Sequence, residues 1–119
     1  MAITNPLSNK TALICFTHAS KKASEFSIQK ILFKANGEYE VSCLAAQSPD
    51  AEKTARKGKY TIKNQSDKQI VLDADEETGQ FVGKYQVTMD LLNPTIGKVL
   101  TKRIGSKGEG MAEGVFQIL

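Results

Sequence analysis

Gln80-Phe-Val-Gly-Lys-Tyr85-Gln-Val-Thr-Met-Asp90-Leu91 is the stretch that decides how this 119-residue chain reads. Phe81, Gly83, Tyr85, Val87, Met89 and Leu91 alternate with Val82, Lys84, Gln86, Thr88 and Asp90. Successive side chains of a β-strand point to opposite faces, so this alternation describes one strand with an inner apolar face and an outer polar one. Gly83 in its interior is the expected place for a bend or bulge that lets a long strand curl.

The phrase Gly-x-Tyr-x-(Val/Ile) inside that strand occurs at two other places, Gly37-Glu-Tyr39-Glu-Val41 and Gly58-Lys-Tyr60-Thr-Ile62. Gly37 closes a hairpin loop, Gly58 stands where a helix would end, and Gly83 interrupts a strand. Three different backbone tasks precede one shared pattern, so the phrase is convergent and not an internal repeat. It predicts that Tyr39, Tyr60 and Tyr85 face the core.

The same period sorts the rest of the chain into about eight strands. Thr11–Thr17 is apolar on both faces, which predicts a buried central strand. Phe26–Gln47 reads as a hairpin around Ala35-Asn36-Gly37, with Gly37 left-handed. That loop opposes Phe33 to Tyr39, Ile31 to Val41 and Lys34 to Glu38, giving one apolar and one charge-paired face. Tyr60–Asn64 and Lys68–Ala74 make a second hairpin around Gln65-Ser66-Asp67, with Ile62 opposite Ile70 and Tyr60 opposite Leu72. Asn93-Pro94-Thr95-Ile96-Gly97 is a turn, Lys98–Ile104 a strand, Gly105–Gly114 a glycine-rich loop, and Val115–Leu119 a closing strand that pairs within the sheet or across a subunit interface. One helix signal interrupts the series. Ser48 caps, Pro49 suits the first turn, and Asp50 and Glu52 precede Lys53, Arg56 and Lys57, which predicts a short surface helix near residues 49–57.

At this length the chain has surface enough to bury one core, so residues 1–119 are read as a single domain. No apolar run approaches the roughly 18 residues of a membrane span, and the apolar run Ala12–Phe16 is too short for a signal-peptide core, so a cytoplasmic location is expected. Cys15 and Cys43 lie in apolar strand-like segments and read as buried free thiols. The formal charge of +3 is small for a dedicated nucleic-acid binder, whose affinity rests on many phosphate contacts.

Few residues make a chemical constellation. One histidine and two cysteines do not supply a zinc site, and Cys15 and His18, three apart on a strand, point to opposite faces. Asp73-Ala-Asp75-Glu-Glu77-Thr-Gly79 resembles a calcium loop only superficially: Thr78 and Lys84 stand where an EF-hand needs glycine and glutamate, so a solvated hairpin turn is the reading. Lys102, Arg103, Gly105, Lys107 and Gly108 form the best local candidate for an anion or partner contact, a nest of backbone N–H groups beside basic side chains. Lys30, Lys34, Lys98 and Lys102 would track a phosphate backbone if folding brought them together.

The chain therefore reads as an all-β protein, an antiparallel barrel or sandwich of seven to nine strands. With no paired acid and base, no activated nucleophile, no metal set and no cofactor motif, its expected role is a non-enzymatic binding or assembly protein acting through protein–protein contacts, self-association included. Two alternatives stand beside it. One is a carrier for a small apolar ligand in an internal barrel pocket; the other is a weakly basic nucleic-acid-binding module.

Overall fold

A computed structural model describes residues 5–19, 27–46, 55–77, 83–104 and 111–119. They form eight strands: β1 (Lys10–Ala19), β2 (Ser27–Phe33), β3 (Glu38–Ala46), β4 (Arg56–Gln65), β5 (Gln69–Glu76), β6 (Gly83–Asn93), β7 (Ile96–Arg103) and β8 (Met111–Ile118). Each pairs antiparallel with its neighbour in the chain, and β8 returns to β1, so the sheet closes into an up-and-down barrel. Closure removes both sheet edges and answers the problem posed by the two-faced apolar strands β1 and β8. Val115–Leu119 finds its partner within the chain, with Cys15 opposite Val115 and Ile14 opposite Phe116.

Period-two sorting does the packing. On β4, Gly58 and Tyr60 are buried and Ile62 half-buried, while Lys57, Lys59, Thr61 and Lys63 are exposed. The core joins such inward rows: Ala12 and Ile14, Phe33, Tyr39 and Val41, Ile70 and Leu72, Met89, Val99 and Phe116. Phe33 meets Tyr60 edge to face, with ring centroids 5.1 Å apart at 77°, a favoured aromatic geometry. Tyr39 and Tyr60 are both buried and Tyr85 is half-buried on the inner face, as the repeated phrase predicts.

The first hairpin has the predicted register, with Ile31 opposite Val41 and Phe33 opposite Tyr39. Gly37 takes a φ of 89°, a left-handed conformation that a side chain would strain. The second hairpin differs. Its turn is Asp67-Lys68, closed by the Ser66 N–H donating to the Gln69 carbonyl, and a bulge falls between Ile62 and Asn64. Ile62 therefore opposes Leu72 and Tyr60 opposes Ala74. The expected pairing was out by two residues, a slip that keeps every side chain on its own face, so hydrophobic sorting alone could not detect it. Gly83 opens β6 with a φ of 149°, and from Gly83 to Asp90 the pairing with β5 runs without a bulge, Glu76 opposite Gly83 continuing the register of Gln69 opposite Asp90. Of the surface helix predicted near residues 49–57, residues 49–54 lie outside the described residues, and Arg56 and Lys57 belong to β4.

The two ends of the barrel differ. One gathers the tight turns at 34–37, 66–68 and 94–95 and is plugged by the segment before β1. There Leu7 is 0% exposed, its N–H bonded to Asn5 Oδ1 at 3.0 Å and its carbonyl accepting from Lys10 N–H at 2.9 Å. Asn5 Nδ2 donates to the Tyr60 hydroxyl at 2.9 Å, and that hydroxyl donates to the Lys34 carbonyl at 2.7 Å, which ties the plug to the barrel wall. The opposite end is formed by the last residues of β1, β3, β5 and β7 and the first residues of β2, β4, β6 and β8.

Candidate functional site

The inward rows do not fill the barrel. An eight-stranded barrel is just wide enough for its interior to be packed by side chains or to hold one small ligand, so short inward residues decide between the two. Ala74 on β5 and Ala112 on β8 are such residues, and both border a cavity of about 210 Å³. Its apolar wall includes Ile14, Phe16, Leu72, Val87 and Met89. Its polar wall, Ser27, Gln29, Arg56, Glu76, Tyr85 and Thr101, lies toward the end opposite the Leu7 plug, where β2, β4 and β6 begin and β5 and β7 finish.

One hydrogen-bonded chain joins most of that polar wall. Arg56 Nη1 meets Glu76 Oε2 at 3.0 Å, with the two side chains only 12% and 7% exposed. Arg56 Nη2 donates to Gln29 Oε1 at 2.7 Å, and Gln29 Nε2 to Ser27 Oγ at 3.3 Å. The Tyr39 hydroxyl donates to Glu76 Oε1 at 2.9 Å. A buried ion pair is tolerated when each partner keeps further hydrogen bonds, and both do here. Burial pushes the Glu76 carboxyl above the ordinary carboxylate range, against the opposing pull of Arg56 and its hydrogen bonds. It pushes the Tyr39 phenol well above its usual range too, with the Glu76 charge adding to the effect.

Gly58 explains how Tyr39 reaches Glu76. Tyr39, Gly58 and Glu76 lie in one cross-strand row, with Gly58 in the middle. A Cβ at Gly58 would stand 2.7 Å from the Tyr39 hydroxyl oxygen and collide with the Asp75 carbonyl. The missing side chain is the space through which the phenol crosses β4. Gly58 thus lies within β4 and not at the end of the helix that the sequence predicts.

The residues singled out from the sequence fall in different places. Lys102 and Arg103 are consecutive on β7, so they point to opposite faces and do not make one cluster. Lys102 stands on the outside. Arg103 belongs to the inward row, opposite Tyr85, with its guanidinium carbon 5.9 Å from the centre of that ring. Gly83 leaves room for it, since a Cβ there would sit 2.9 Å from Arg103 Nη2. Gly105, Lys107 and Gly108 lie outside the described residues. Lys34 pairs with Glu40 at 2.9 Å, while Lys30 on β2 is separated from Lys98 and Lys102 on β7 by β8 and β1, so the four lysines form no single row. Cys15 and Cys43 are free thiols, half-buried where full burial was expected.

Two charged residues of the cavity, Arg56 and Glu76, were missed. The helix signal claims Arg56 and the acidic run makes Glu76 look solvated, yet the strand period carries both. Ile70, Leu72, Ala74 and Glu76 keep period two, as do Ile62, Tyr60, Gly58 and Arg56, and each row ends on a charge pointing inward. Asp73 behaves differently, facing outward to Lys63 at 3.7 Å. Among the described residues no three or more His, Cys, Asp or Glu side chains gather to hold a metal ion, and no described helix is long and apolar enough to cross a membrane. Compared against protein families, curated proteins and solved structures, the chain matches none.

Proposed function

We propose that this protein binds a small apolar ligand inside its barrel. The observation that supports the reading is the cavity of about 210 Å³, walled largely by aliphatic and aromatic carbon and bordered by one short polar arc. An engineered cavity of roughly 150 Å³ lined by Leu, Ile and Phe is enough to take benzene. Drug-sized ligands occupy about 300 Å³ or more, so the ligand here is small: a single ring or a short alkyl chain. Calorimetric titration with toluene tests the proposal. Saturable binding that disappears when the cavity is filled by Ala74→Ile is expected; no heat with the native chain, or equal binding to both, refutes it.

Self-association is a second reading. It draws on the outer face, where Val115, Cys15, Ile28 and Ala45 follow one another in a cross-strand row and Val115 is 50% exposed. Replacing Val115 by Lys would then lower the mass seen in sedimentation at tens of micromolar chain. A native chain that is monomeric at that concentration excludes this reading.

A further inference from the structure

The charge pattern of the cavity narrows what it can accept. Among the residues that line the cavity, which do not include Arg103, inward on β7 beside Tyr85, there is one cation and one anion, Arg56 and Glu76, in contact with each other at 3.0 Å. Each has a second partner in the wall, Gln29 for the guanidinium and Tyr39 for the carboxylate. No buried side-chain nitrogen or oxygen among the described residues lacks a hydrogen-bond partner. The arc is thus neutral as a unit. A carboxylate or phosphate entering it must pull Arg56 from Glu76 or lie against the Glu76 charge, and an ammonium meets the mirror problem with Arg56. A charge left unmatched in such a site is strongly disfavoured.

Hydrogen-bonding capacity points to the group that does fit. An ionised carboxylate has about four lone-pair positions, and Tyr39 and Arg56 account for two at Glu76. The Tyr39 oxygen keeps its own lone pairs after donating. A hydroxyl brings one donor and two acceptor positions, so it adds to this arc without displacing any bond already there. The volume of about 210 Å³, larger than the roughly 150 Å³ that takes benzene, suits one substituted ring.

The geometry points to a neutral alcohol or phenol as the ligand, its hydroxyl donating to the Glu76 carboxylate and its hydrocarbon body lying against Ile14, Leu72, Val87 and Met89. This rests on the reading of the interior as a binding site. The ligand is then held by burial of its ring or chain and oriented by one charge-assisted hydrogen bond. Charge on the ligand excludes it, whichever the sign.

A matched series separates the two ideas. Toluene, 4-methylphenol, 4-methylbenzoate and 4-methylbenzylamine share one hydrocarbon body, and at pH 7 only the last two are charged. Calorimetric titration of the native chain should show toluene binding, 4-methylphenol about tenfold tighter, as one net hydrogen bond of ~1.4 kcal/mol gives, and no detectable binding of either charged compound. Glu76→Gln leaves Arg56 as an unbalanced cation and should admit 4-methylbenzoate while removing the advantage of the phenol. Tyr39→Phe, which frees an acceptor position on Glu76 and leaves the ion pair in place, should keep the order phenol over toluene over benzoate even if Glu76→Gln fails to fold. Toluene binding with no gain for the phenol, or native binding of either charged compound as tight as toluene, overturns the ligand class alone. Failure of toluene itself to bind overturns the interior site and the ligand class with it.

Discussion

Ala74→Ile turns the cavity into a stability measurement. Ala74 borders the empty space and lies between Tyr60 and Tyr85 in one cross-strand row, on a strand where a β-branched residue is well suited. Isoleucine adds three carbon-sized groups. At ~0.8 kcal/mol for each one buried, the gain is up to about 2.4 kcal/mol. Ordering the longer side chain costs about 0.5–1 kcal/mol, so a net gain near 1.5 kcal/mol is expected. In a filled core the same substitution would instead overpack and cost about 1–3 kcal/mol. The sign therefore distinguishes an empty interior from a filled one. In urea, with a slope of about 1.5 kcal/mol/M for a chain of this size, the midpoint should rise by about 1 M. A midpoint that falls, with the slope unchanged, would show that the space beside Ala74 is already occupied and would refute the cavity argument.

Leu7→Ala should destabilise the barrel by about 2–5 kcal/mol, because Leu7 is 0% exposed and plugs one end; a urea midpoint within error of the native value would mean the plug is dispensable. Gly58→Ala should cost about 2 kcal/mol or more, since its methyl enters the path of the Tyr39 phenol, and an unchanged thermal midpoint would contradict that crossing. The Glu76 carboxyl, held above its ordinary 4.5 by burial, binds its proton more readily in the folded than in the unfolded chain. Its contribution to stability is therefore full below 4.5 and is lost as pH rises through the raised value. Glu76→Gln removes that dependence, so the native chain should gain on the variant between pH 7.5 and pH 4.5 in matched urea titrations. A gap that stays constant, or widens in the opposite sense, would argue that Glu76 is solvated. Arg56→Met should cost about 3–5 kcal/mol at neutral pH by leaving Glu76 buried without its cation, and a loss below ~1 kcal/mol would place the pair in water.

Local chemistry made some of this fold readable from the sequence. The β2–β3 register followed from one glycine and two apolar pairs, because any one-residue slip would have put Tyr39 and Val41 in water. The β4–β5 register did not follow, since a two-residue slip preserves every facing and only the bulge at Lys63 records the difference. Closure itself is a long-range event. Nothing local to Val115–Leu119 distinguishes pairing with β1 from pairing with another subunit. The cavity was legible only in part: the alternation predicted inward tyrosines and small inward residues, but whether an interior is filled depends on all eight strands together. Arg56 and Glu76 escaped notice because charge in a short segment reads as solvent-facing unless the period is carried to the end of each strand. Helix signals at Ser48-Pro49 drew Arg56 away from the row to which its spacing assigns it.

The central claim is that the closed barrel encloses an apolar space open to a small ligand. Intermolecular nuclear Overhauser effects between toluene and methyl-labelled protein test it most directly. The account predicts contacts to the methyl groups of Ile14, Leu72, Val87 and Met89 and none to the outward-facing Leu13 and Val115. Contacts confined to Leu13 and Val115, or none at saturating toluene, would contradict it.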